Sequence, residues 1–166
     1  MPEAKTRLGE ILGAVYRKDL AALRRATPQD LNLRDQDGRT PLMHAILAED
    51  ADPSIVQLLI DHGADVNIND NGQKWTPLHF AARDQNEPLV RILLNAAAAV
   101  DPVDVFGNTP LWRSVMNSTS SLSAMAELLK HGADPDKKNN HGSSPMDVAR
   151  DTGRTDIVAL FERDRK

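Results

Sequence analysis

Gly38-Arg39-Thr40-Pro41-Leu42 is the stretch on which the reading of this chain turns. It returns as Trp75-Thr76-Pro77-Leu78-His79, as Gly107-Asn108-Thr109-Pro110-Leu111 and as Gly142-Ser143-Ser144-Pro145-Met146. The hydroxyl positions 40, 76, 109 and 144 lie 36, 33 and 35 residues apart. A near-constant period of this size marks a stack of supersecondary units, none of which buries its apolar face alone. A second string follows the first three anchors: His62-Gly63-Ala64-Asp65-Val66-Asn67, then Ala96-Ala97-Ala98-Ala99-Val100-Asp101, then His131-Gly132-Ala133-Asp134-Pro135-Asp136.

Each unit reads as helix, turn, helix and loop. A threonine before proline offers its hydroxyl to cap a helix, and proline at the first helical position gives up an N–H that has no partner there. Ile55-Val56-Gln57-Leu58-Leu59-Ile60 and Leu89-Val90-Arg91-Ile92-Leu93-Leu94 carry apolar residues at helical spacing, as a second helix packed on its neighbours requires. Gly63 and Gly132 then end such helices in the left-handed region, where a side chain clashes. Additions relative to the shortest unit fall at Glu49-Asp50-Ala51-Asp52-Pro53 and Asn117-Ser118-Thr119-Ser120-Ser121, between two helices, and at Asn71-Gly72-Gln73-Lys74-Trp75, which lengthens one loop.

The anchors and the G-A-D-V-N string resemble the ankyrin repeat over roughly residues 8 to 163. The resemblance implies an all-α solenoid of helix-turn-helix repeats with short β-hairpin loops, about five repeats including caps. Its boundaries are an N-terminal cap at 7–34, repeats at 35–68, 69–101 and 102–136, and a C-terminal cap at 137–163, within one domain of 1–166. Leu8 to Arg25 reads as two short amphipathic helices, and Ile157-Val158-Ala159-Leu160-Phe161 belongs to the closing cap. Ala97 stands where the family has glycine, so that helix either ends differently or holds a strained residue costing about 1 kcal/mol.

Composition narrows the function. The 166 residues, 27% charged and 40% apolar, suit one folded unit. The absence of cysteine excludes disulfides, thiolate metal sites and cysteine nucleophiles. No apolar run approaches the roughly 20 residues of a membrane span, and Met1 to Arg7 lacks the pattern of a leader, so no membrane role and a cytoplasmic location are expected. The net charge of −4 is uneven: residues 1–35 carry +2, residues 36–101 carry −6, and 102–166 balance nine against nine. The one basic concentration, Arg163-Asp164-Arg165-Lys166, is terminal, which disfavours nucleic acid.

No catalytic, cofactor or metal site is expected. His79 fills the structural histidine of the ankyrin anchor. His62 and His131 sit two repeats apart, roughly 20 Å at about 10 Å per helix layer, too far to share a metal. His44 and His141 have no partner at ligand spacing, and no hydrolase, metalloprotease or phosphate-loop string appears.

Binding is what remains. Of six aromatic residues, four lie between 75 and 112. Large aromatics at loop tips and on the first helix are enriched among residues that carry interface energy. In the ankyrin pattern the loop tips and the exposed face of the first helix form the concave partner surface. That pattern points to Trp75, Phe106 and Trp112 as anchors, to Phe80 beside them, and to Lys74, Arg83, Asp84, Arg113, Arg39, His44 and Asn117 as polar contacts. The expected partner is another protein bound by a chain that is monomeric when free. The compact array resembles small bacterial ankyrin proteins, some of which act as immunity proteins, and the acidic middle would favour a basic toxin or effector through faster encounter. An adaptor joining two proteins is the other reading.

Overall fold

The hydroxyls at 40, 109 and 144 do what their place before proline predicts. Thr40 Oγ1 accepts from the Met43 N–H at 3.4 Å, Thr109 Oγ1 from Trp112 at 3.2 Å and Ser144 Oγ from Asp147 at 3.1 Å. The computed structural model describes residues 2–118 and 121–164, and among these there are eleven helices and no β-strand. Two compact units divide the chain, Met1–Pro77 and Leu78–Lys166.

The first unit holds α1 (Pro2–Tyr16), α2 (Leu20–Leu23), α3 (Pro28–Leu31), α4 (Pro41–Leu47) and α5 (Pro53–Asp61). Where two short helices are expected over 8–25, one helix runs unbroken to Tyr16 and a single turn follows. Lys18 takes a left-handed conformation, φ 53°, which stops the first helix, and the Asp19 carboxylate caps the next by accepting from the Ala22 N–H at 3.0 Å. Thr27 and Asp30 then form a reciprocal capping box at the start of α3. Asp30 also receives the Arg7 guanidinium at 3.0 and 2.9 Å, tying α3 to α1, and Arg7 holds its carboxyl well below the usual range. α1 packs on α2, α3 and α4, and α5 closes on α2 and α4. Ile11, Val15, Leu23, Leu31, Leu42, Met43, Val56 and Leu59 form the core.

The second unit holds all but the first residue of α6 (Pro77–Arg83), then α7 (Glu87–Asn95), α8 (Pro110–Met116), α9 (Ser123–Lys130), α10 (Pro145–Asp151) and α11 (Thr155–Asp164). α9 contacts α7, α8 and α11, while α10 contacts α8 and α11. Leu78, Leu89, Leu93, Leu111, Met125, Leu128, Ile157 and Phe161 fill its interior. Ala97 has φ 60°, so the strained alternative at that helix end is the one adopted. The inter-helix additions fall where expected. In one, Asp50 pairs with Lys18 at 2.7 Å and Asp52 caps α5 through the Ser54 N–H; in the other, Thr119 and Ser120 lie outside the described residues.

The loops before the anchors share a device that the repeat strings do not reveal. Asp35, Asp70, Asp104 and Asn139 each turn a side-chain oxygen back onto two N–H groups of their own loop. Three loops close by a backbone bond four residues on: Asp35 N to Arg39 O, Asp104 N to Asn108 O and Asn139 N to Ser143 O, each 3.0 Å. The lengthened loop closes five residues on, Asp70 N to Trp75 O at 2.9 Å. One such bond is not a ladder, so the expected β-hairpins are side-chain-clamped turns among the described residues.

Candidate partner-binding surface

In the first unit, α4 projects His44 and the loops carry Arg39, Lys74 and Trp75. His44 Nε2 lies 2.7 Å from Asp35 Oδ2 and Nδ1 lies 2.8 Å from the Tyr16 hydroxyl, with the two rings edge to face at 6.0 Å. Both imidazole nitrogens are therefore engaged within the unit, although a polar contact to a partner is expected of this residue. The Asp35 carboxyl is pushed up by burial and pulled down further by the N–H groups of Arg39 and Asp37 and by His44, ending below its ordinary value. Arg39 is half-buried, with Nη1 3.9 Å from the Asp37 carboxylate, and Lys74 is exposed at φ 59°.

Trp75 corrects the expectation of an exposed anchor, because only 9% of it meets solvent. Its N–H donates to Asp70 Oδ1 at 3.0 Å and its carbonyl closes the loop, so the extra residue is absorbed at the tip while the closing position turns inward. The apolar ring is then better buried than left in water.

In the second unit, Phe80 is likewise buried, 3% exposed on α6, with the Arg83 guanidinium 5.6 Å from its ring centroid. Arg83 makes a two-point pair with Asp84, at 2.6 and 2.8 Å, on the exposed end of the helix; that pair raises the Arg83 pKa. Arg113 turns to the fully buried Asp104 side chain, Nε to Oδ2 at 3.0 Å with Nη2 on the same oxygen. Burial pushes the Asp104 carboxyl up, but Arg113 and the N–H groups of Asn108 and Phe106 outweigh it and leave it depressed. Arg113 therefore holds up its loop from α8 and spends its charge inside. Its guanidinium also lies 5.3 Å from the half-buried Trp112 ring, whose Nε1 is buried and has no acceptor among the described residues. Asn117 is exposed and donates to the Arg113 carbonyl at 3.0 Å.

Phe106 is exposed as expected, at 45%, and it is not alone. Val103 and Val105 in the same loop are 47% and 42% exposed, an apolar tip missed when aromatics alone are counted. The alternation Val103-Asp104-Val105 carries the signal: once the aspartate faces inward to clamp the turn, its neighbours face out. Tyr16 and Met116 are further exposed apolar bodies.

Three further histidines bond backbone carbonyls in this arrangement. Buried His79 bonds the Asn108 carbonyl at 3.1 Å, while His62 and His131 bond the carbonyls of Leu58 and Glu127 at 3.0 and 2.9 Å. Among the described residues no group of three or more His, Asp or Glu is disposed to hold a metal, and no helix is long and apolar enough to cross a membrane.

Comparison with known proteins agrees with this construction. A family model of three ankyrin-repeat copies matches residues 11–104 and 47–139. Neurogenic locus notch homolog protein 1 of Xenopus tropicalis is 39% identical over 143 residues, 83% of this chain and 5% of that protein. The ankyrin repeat and KH domain-containing protein mask-1 of Caenorhabditis elegans is 37% identical over 151 residues, 90% of this chain and 6% of its own length. The putative ankyrin repeat protein L91 of Acanthamoeba polyphaga mimivirus is 31% identical over 119 residues, 66% of this chain and 17% of the viral protein. The chain thus spans only a small fraction of the relatives it matches. These relatives are animal and viral, so they lend nothing to the likeness to small bacterial proteins. With its capped anchors, its clamped loops and these matches, the chain belongs to the ankyrin-repeat family, whose repeats in general bind other proteins.

Proposed function

We propose that the chain is a non-enzymatic protein-binding module whose main anchor is the loop tip of Val103, Val105 and Phe106. One observation carries the reading: three apolar side chains remain 42 to 47% exposed on a loop whose backbone is clamped by buried Asp104. A rigid apolar tip loses little freedom when a partner covers it, which is where binding energy is gained most cheaply. In the same unit Trp112, Arg83, Asp84 and Asn117 supply the surrounding contacts; Lys74 and Arg39 are polar contacts of the first unit taken by itself. Trp75, Phe80 and Arg113 act from within, by holding the shape of the elements that carry the contacts, and His44 does the same for α4.

The test compares affinity capture by the wild type and by a Val105→Asp, Phe106→Asp double variant. The expected result is one stoichiometric protein retained by the wild type and lost by the variant at an unchanged melting temperature. Retention of the same proteins by both would overturn the assignment of the tip.

The charge of −6 over residues 36–101 favours a narrower reading, in which the partner is a basic toxin held inactive by this chain. Association with such a partner should slow steeply as salt is raised, and co-expression should relieve its toxicity. A captured partner that is acidic or harmless when expressed alone would remove this narrower reading and leave an adaptor role.

A further inference from the structure

A groove of about 440 Å³ runs along α1 in the first unit, floored by Leu8, Gly9 and Leu12 and walled by Lys5, Arg34 and Asp35. We propose that this groove receives a short segment of another protein in which an apolar side chain lies beside one or more carboxylates. It is a second binding site, apart from the Phe106 tip.

The floor argues for an apolar occupant. Leu8 and Leu12 stand one turn apart, with Gly9 between them inside a 15-residue helix. Glycine there weakens the helix. Nothing inside the chain asks for it: its φ is not positive, and a Cβ built on it would meet no atom within 4 Å. The bare backbone leaves space for an apolar group from outside to approach α1 closely. The floor is open to solvent at Gly9, which suits a peptide laid across a groove more than a small molecule enclosed in a cavity.

The walls argue for an acidic one. Arg34 is held rigidly but only by neutral acceptors: Nε donates to the Gly38 carbonyl at 2.9 Å, and Nη2 donates to the Asn69 carbonyl at 2.7 Å and to Asn71 Oδ1 at 2.9 Å. Among the described residues no carboxylate forms an ion pair with Arg34 or with exposed Lys5, whereas Arg7 and Lys18 in the same unit are paired with Asp30 and Asp50. The one carboxylate on the lining, Asp35, is turned to His44 and to the N–H groups of Asp37 and Arg39. Two cations without internal counter-charge beside an apolar floor are complementary to an acidic-apolar segment. The 1–35 segment also carries +2 in a chain of −4.

A random 12-residue phage-displayed peptide library, panned on the full chain, is the probe, and the strongest binder is then synthesised with a dye and titrated by fluorescence anisotropy. Enriched peptides should carry Asp or Glu next to a Leu, Ile, Met or Phe. Gly9→Gln should raise the melting temperature, because it restores a helix former, and yet weaken the peptide about tenfold or more by filling the floor. Lys5→Glu should weaken it and flatten its salt dependence, while Phe106→Asp should leave it unchanged, so the failure of either site is separable from the other. Enrichment of basic or purely apolar peptides, no enrichment, or equal binding by wild type and Gly9→Gln overturns the proposal. So does concentration-dependent self-association that Gly9→Gln abolishes, which would make the occupant a second copy of the chain.

Discussion

The loop from Asp70 to Trp75 and the loop from Asp104 to Asn108 are built on the same clamp and each carries an aromatic residue, yet Trp75 is buried and Phe106 is exposed. The difference lies in position. Phe106 is two residues beyond its clamp, at the tip, where Asp37 and His141 in the corresponding loops are also exposed. Trp75 closes its loop, the place held by buried Asn108 and by half-buried Arg39 and Ser143. A side chain's place relative to the inward aspartate therefore decides whether it meets solvent. Aromatic character alone does not.

The comparison can be broken most forcefully at the clamp itself. Asp104→Ala removes the partner of Arg113 and the acceptor for two loop N–H groups, and should cost about 3–5 kcal/mol, read from urea denaturation. The pH dependence has a definite sign. Because the folded Asp104 carboxyl lies below its unfolded value of about 3.9, its contribution is present above that pH and is lost as pH falls through the folded value. The gap between wild type and variant should accordingly narrow as pH falls below about 4. A gap that is small at pH 7, or that does not change with acid, would show that the loop is held by something else.

Next in size is the pair of aromatic truncations. Trp75→Ala should cost about 3 kcal/mol as a core deletion, while Phe106→Ala should stay within about 0.5 kcal/mol. Equal costs would erase the distinction between tip and closing position. The smallest effect sharpens the comparison at the residue before the closing position. There Gly38, Gly107 and Gly142 have φ of 77, 79 and 75°, and Lys74 sits at 59°. Lys74→Gly should stabilise by about 0.5–1 kcal/mol, the relief of left-handed strain less the added freedom of the unfolded chain. Ala97→Gly should do the same at its helix end and raise the melting temperature; a lower value in either variant would mean that the strain is relieved in another way.

Much of the architecture is legible in the sequence because it is local. A hydroxyl-proline pair and a helical apolar period each act within a few residues, so the anchors at 40, 109 and 144 and the described added loop residues are where they are expected, and Ala97 takes the strained one of its two alternatives. What could not be read depends on which way a side chain turns. Trp75 and Phe80 share composition with a binding surface but are drawn inward by burial. Arg113 looks like a surface cation until Asp104, nine residues earlier, is seen to be buried. The extent of α1 was also hidden, since its stop is supplied by Lys18, an ordinary helix former, in a left-handed conformation. Val103 and Val105 were legible in principle, by alternation about a clamp that the repeat strings leave outside their frame.

A loop that closes on its own aspartate does not consult the residues at its tip. Asp35 and Asp104 hold their turns by bonding backbone N–H groups, whatever side chains those groups carry, and Asn139 does the same with a neutral amide. Residues 37, 106 and 141 are for that reason free to be rewritten: Asp, Phe and His already occupy equivalent places in one molecule. New recognition could thus arise by exchanging letters at those positions one at a time, with the framework inherited unchanged, and a library randomised there alone would explore partners without first having to solve folding again.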